Sequence, residues 1–141
     1  MNREILFKAK RRDNGEWVEG SLINTKKGVA YIIRSKSKAF IPKGENIICS
    51  AECYEIDPDT LCQYTGLTDK NGKKIWENDI LRRDGYWDIR IEFENGVFMV
   101  RNADKVQYIN RVTCTSINTF NIKSYEVVGN IFDNADLLEV E

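Results

Sequence analysis

The chain has no histidine, only two prolines and two methionines, and no apolar run long enough to cross a bilayer. Each shortage removes a class of protein. Without histidine, Ser–His and Cys–His nucleophilic pairs lack their base, and a mixed Cys/His metal site lacks half its ligands. Cys49, Cys53, Cys62 and Cys114 show no paired C-x-x-C spacing, so they read as reduced thiols in core or loop rather than as ligands or bridges. No Gly-rich loop opens a helix, which leaves P-loop nucleotide hydrolysis without its phosphate cradle. The first residues lack a basic segment followed by an apolar core and a cleavage site, and the expectation is a cytoplasmic protein with no membrane, metal or cofactor requirement.

What is present suits one domain over residues 1–141, large enough to bury a core without staples. Its charge is polarised. Residues 1–44 carry eleven Lys or Arg against four acids, a net +7, and residues 45–141 carry ten against eighteen, a net −8. The domain therefore divides into a basic β part, about residues 1–60, and a second part, about residues 61–141.

Turn signals separate short β-type runs throughout. Asp13-Asn14-Gly15 returns Ile5-Leu6-Phe7 through Trp17 to Ile23, and Asn95-Gly96 joins the alternating Trp87–Phe93 run to Val97–Arg101. Val29–Ile33 and Ala39–Ile41 read as further strands, and Ser124–Phe132 as a late strand with a bulge at Gly129-Asn130. The 45–60 and 102–121 segments carry weaker signals, although Val106–Ile109 suits a strand or a helical turn. The expected fold is mainly β with little helix: short antiparallel hairpins, with an SH3-like or partly open β-barrel in the C-terminal half. Its core should include Phe7, Trp17, Ile32, Tyr64, Leu67, Ile75, Trp76, Ile80, Ile91, Phe93, Val127, Ile131 and Leu137.

The densest stretch is Gln63–Leu81. Asn71-Gly72 tolerates positive φ at both central turn positions and should reverse Thr65–Leu67 onto Lys74–Trp76. Asp79 then reads as a turn-forming carboxylate. The run Gln63-Tyr64-Thr65-Gly66-Leu67, then Asp69–Ile75 and Glu77-x-Asp79-Ile80, resembles the signature of the YopX family, phage and prophage proteins of unknown function. Phe7–Ile23 is similar to that family's opening, and Tyr125–Asn134 with Asp136-Leu137-Leu138 to its close. The chain departs from the pattern at Asn78, where the family usually shows Gly, and at Ala135, where it usually shows Pro. Gly66, Asn71, Gly72, Trp76, Asp79, Gly129 and Asn130 are the structural motif residues on this reading.

Three functions compete. A non-enzymatic binding or assembly module comes first, with a host or phage protein or a second copy as partner, because opposite charges on one small chain can dock. Nucleic-acid binding comes second, through Lys8, Lys10, Arg11, Arg12, Lys26, Lys27, Arg34, Lys36, Lys38 and Lys43 interleaved with Trp17, Tyr31 and Phe40. The third is a metal-dependent phosphodiesterase using Asp69, Glu77, Asp79, Asp84 and Asp88. Lys70, Lys73, Lys74, Arg82, Arg83 and Arg90 interleave with those acids as on a solvated surface, so no catalytic residue is assigned.

Overall fold

A computed structural model describes residues 4–34, 39–40, 48–49, 52–103, 115–117 and 121–138. Within them the protein is mainly β, with helix confined to short 3-10 turns. The backbone forms two compact units, residues 1–63 and 64–141.

In the first unit, β1 (Phe7–Lys10), β2 (Trp17–Asn24), β3 (Ala30–Arg34) and β6 (Cys53–Glu55) lie antiparallel in the order β6-β3-β2-β1. A separate two-residue ladder joins β4 (Ala39–Phe40) to β5 (Ile48–Cys49). Strand β7 (Cys62–Thr68) begins in this unit, where Cys62 and Gln63 pair with Lys8 and Phe7. Strand alternation sends Ala9, Val18, Ala30 and Ile32 to one face, where they meet Ile56 in a core edged by Phe7, Leu22, Tyr54 and Leu61. Complete burial of a side chain such as Ile32 contributes roughly 1.5–3 kcal/mol.

Backbone proximity decides one residue in that sheet. A Cβ on Gly20 would stand 1.8 Å from the Ile33 carbonyl oxygen, so the position admits hydrogen only. Below the sheet, the 3-10 turn Pro58–Thr60 is capped by Asp57, whose Oδ1 accepts the Asp59 N–H. Thr60 Oγ1 accepts the Lys10 N–H at 2.8 Å and fastens that turn to β1.

The second unit contains the rest of β7 together with β8 (Lys74–Trp76) and a five-stranded antiparallel sheet. The sheet runs β12 (Thr115–Ser116), β11 (Val97–Asn102), β10 (Ile89–Glu94), β9 (Asp79–Arg82), β13 (Glu126–Asn130). Because β12 and β13 lie at opposite ends of this order, the expected barrel is not closed. Ile75, Leu81, Ile89, Ile91, Val100, Ile117, Ile122 and Tyr125 form its core.

Trp76, 5% exposed, sits inside as expected, but Phe93 is 48% exposed, beyond the reach of the core near the β10–β11 tip. Trp17, Ile131 and Leu137 are half-buried. The bulge in β13 falls where the ladder shifts between Val127 and Gly129, and a 3-10 turn follows at Ala135–Leu138. The Val106–Ile109 reading lies outside the described residues.

The Asn95-Gly96 and Asn71-Gly72 turns differ. Asn95 and Gly96 both hold positive φ, 52° and 80°, as a two-residue turn between Glu94 and Val97 requires. At Asn71-Gly72 only Gly72 does, at 81°. The expectation of two left-handed residues fails there because the Asp69 carboxylate collects the Asn71 and Lys73 N–H groups, leaving a three-residue loop in which the Gly72 N–H donates to the Asp69 carbonyl.

Candidate functional site

The motif residues perform architectural work. Gly66, at φ 86°, lies where β7 spends four steps between its pairings at Tyr64 and Thr68 while β8 spends two. Asp69 Oδ1 accepts N–H groups from Asn71 and Lys73, and its Oδ2 accepts that of Val127 in β13. Burial disfavours the Asp69 anion, but the Val127, Lys73 and Asn71 donors outweigh it and hold the carboxyl below its ordinary range. Asp79 is also buried, and its Oδ2 accepts the Trp76 N–H at 2.8 Å. Asn78 stands at φ 71°, donates to the Ile91 carbonyl and accepts from the Ile131 N–H. Asn130 Oδ1 accepts the Phe132 and Asp133 N–H groups, and Gly129 leaves room for the Asn134 side chain.

Among the described residues, the cations of the basic third divide between two faces of the sheet. The Lys8 and Lys10 ammonium groups lie 4.7 and 5.4 Å from the centroid of Trp17, all three on the sheet face opposite the core. Arg11 points the other way, over the Tyr54 ring at 3.9 Å, and forms a two-bond pair with Asp13. The hydrogen bond to Asp13 raises the Arg11 value and lowers that of Asp13. Arg12 faces Glu55 at 4.0 Å and Arg34 faces Glu52 at 3.8 Å, so the acids near β6 offset cations from β1 and β3. Lys26 and Lys27 are exposed at the β2–β3 turn. Lys36, Lys38 and Lys43 lie outside the described residues, as does the Phe40 side chain.

The acids proposed for metal binding are similarly divided. Asp69 and Asp79 turn to backbone N–H groups, and Asp88 pairs with Arg82. Cys53 is half-buried, and Cys62 is buried with its Sγ 3.3 Å from the Thr60 carbonyl oxygen.

A different feature emerges between β9 and β10. Arg82 and Asp88 close the base of the connecting loop through two parallel bonds, Nε to Oδ1 at 3.0 Å and Nη2 to Oδ2 at 2.8 Å. Within it the Tyr86 N–H donates to the Arg83 carbonyl, with Gly85 at φ 82° supplying the left-handed position that such a turn needs. The loop presents Tyr86 and Trp87 together, 57% and 60% exposed. Arg83 stacks over Tyr86 at 4.2 Å, and the Tyr86 ring meets Tyr125 edge-on with centroids 6.5 Å apart. Burial pushes the Tyr125 phenol up, against the opposing effect of Arg83, so this support stays neutral at physiological pH.

Sequence reading placed Trp87 at the start of the alternating strand, whereas β10 begins at Ile89. The adjacency of Tyr86 and Trp87 was the overlooked signal. Neighbours in a strand point to opposite faces, so two consecutive aromatics cannot both enter a core on one side of a sheet.

Comparison with known proteins rests on the chain's full extent. Residues 6–139 match the family described as YopX protein. The chain belongs to the YopX family. Among solved structures, protein EF1440 from Enterococcus faecalis is similar to this YopX chain with a TM-score of 0.61 and 22% identity, covering 98% of this chain and 100% of its own. That likeness shows a shared fold. No match was found among curated proteins.

Proposed function

We propose that this YopX chain is a non-enzymatic binding or assembly module of phage or prophage origin, acting in the bacterial cytoplasm, and that its contact surface is the Arg82–Asp88 loop. The observation that carries the reading is the exposure of adjacent Tyr86 and Trp87 on a loop clamped at its base. Large aromatics held in place contribute contact area at small entropic cost, and such residues dominate binding energy at interfaces. The partner is a host or phage protein. Support also comes from Asp69 and Asp79, whose carboxylates are committed to folding contacts.

The test uses the whole chain as bait in host-cell extract, beside a Tyr86→Ser/Trp87→Ser variant with unchanged circular dichroism. Proteins retained by the parent and lost from the variant support the loop as the surface. Identical capture by both refutes it.

A second reading has its own observation, the two lysines gathered around Trp17, which together offer cation and ring to a single-stranded nucleic acid. Fluorescence polarisation at low and moderate salt decides it. Absence of binding at low salt, or binding indifferent to Lys8→Glu/Lys10→Glu, rules it out.

A further inference from the structure

We propose that Asn95 is a site of spontaneous deamidation, selected from three Asn-Gly pairs by the way its hairpin leaves the reacting groups unengaged. The pairs lie at 14–15, 71–72 and 95–96. Glycine makes such pairs reactive because its backbone nitrogen, with no Cβ beside it, can approach the side-chain carbon of the preceding asparagine.

The chemistry needs only water and solvent base. The glycine nitrogen gives its proton to solvent base and bonds to Asn Cγ. The Cγ–Nδ2 bond then breaks as Nδ2 takes that proton back from the protonated solvent base, and Nδ2 leaves as ammonia. Water opens the resulting succinimide ring at either carbonyl, restoring the peptide bond with an aspartate or leaving an isoaspartate whose backbone runs through Cβ and Cγ. Nothing is oxidised or reduced: an amide and water become a carboxylate and ammonium.

Attack requires a nitrogen and a side chain able to move toward each other, and the three pairs differ in both. The Gly15 N–H donates to the Arg11 carbonyl at 2.9 Å, while Asn14 Oδ1 accepts the Glu16 N–H at 2.9 Å. The Gly72 N–H donates to the Asp69 carbonyl at 3.0 Å, and Asn71 donates from its backbone to Asp69 and from Nδ2 to Glu126. At the β10–β11 tip, among the described residues, neither the Gly96 N–H nor the Asn95 side chain has a hydrogen-bond partner. Asn95 also holds a left-handed backbone, disfavoured for a residue with a Cβ. Phe93 and Val97 on either side are partly exposed, so opening the tip gives up chiefly the edge-on contact of Phe93 with Phe98.

The product alters this hairpin in two ways. A new carboxylate joins Glu92 and Glu94, whose charges Arg90 and Arg101 already balance. Isoaspartate also adds a backbone methylene to a loop whose two-residue length sets the Glu94–Val97 register.

The experiment ages the folded protein in mildly alkaline buffer, with a parallel sample unfolded in urea, and resolves aspartate and isoaspartate forms of all three peptides by chromatography and mass spectrometry. The Asn95→Asp variant marks the aspartate product. In the fold, Asn95 is expected to convert faster than Asn14 or Asn71 by roughly fivefold or more, the factor by which one net hydrogen bond shifts an opening equilibrium, while in urea the three rates converge. Asn14 or Asn71 leading in the folded sample, equal rates there, or an intact Asn95 over a period that converts the urea sample would overturn the assignment.

Discussion

Asp69 Oδ2 accepts the backbone N–H of Val127 at 2.9 Å, across 58 residues of sequence. The bond joins the β7–β8 loop to the bulged strand β13, and the nearby Lys70 N–H donates to the Tyr125 carbonyl in the same direction. One buried carboxylate thereby shapes its own turn and anchors a distant strand.

Asp69→Asn presents an NH2 group where the anion received backbone donors, and is expected to cost about 2–3 kcal/mol. Acid should unmask the same interaction. The folded carboxyl lies below its reference value of 3.8, so its contribution is fully present above that value and is lost as pH falls through the folded one. Urea midpoints measured from neutral to acidic pH should fall more steeply for the parent than for Asp69→Asn. Equal acid slopes would contradict this role.

Asn78 occupies a left-handed position at φ 71°. Asn78→Gly should stay within about 1 kcal/mol of the parent, whereas Asn78→Val should lose roughly 1–2 kcal/mol or more because its Cβ and branch meet the backbone. Thermal unfolding of the two variants separates backbone strain from side-chain contacts.

Ala135 opens the 3-10 turn Ala135–Leu138, a first position at which the fixed φ of proline is pre-organised. Ala135→Pro should stabilise the chain by about 0.4–1 kcal/mol through the unfolded state. A lower melting temperature would show that the turn needs the Ala135 N–H.

Gly20→Ala forces a methyl group to within 1.8 Å of the Ile33 carbonyl, and the β2–β3 ladder must part to accept it. The expected loss is at or above the upper end of about 1–3 kcal/mol typical of overpacking. Glycine exchange is no general weakness of the chain: a Cβ at Gly28 would meet open space, so Gly28→Ala should cost only the strain of its φ of 79°.

Local signals made much of this fold readable. Asn14-Gly15 and Asn95-Gly96 placed two hairpins, alternation from Trp87 to Phe93 placed β10 but started it two residues early, and the bulge expected at Gly129-Asn130 falls between Val127 and Gly129. Phe93 shows where alternation misleads: it has the right parity for the inner face but sits at the strand's end, past the last core neighbour. The candidate site was harder to see. Sequence counts charge without direction, and among the described residues Arg12 and Arg34 meet Glu55 and Glu52.

By itself the sequence determined the mainly β character and the Asn95-Gly96 turn, because turn residues and period-two patterning act over a few neighbours, while its ordered motifs carried the resemblance to the YopX family. Tertiary structure alone decided that the second sheet stays open, that Asp69 is pinned to Val127, and that Tyr86 and Trp87 face solvent behind an Arg82–Asp88 clasp. Those outcomes depend on which distant donors reach a carboxylate and where the core runs out of neighbours, and no local pattern encodes either.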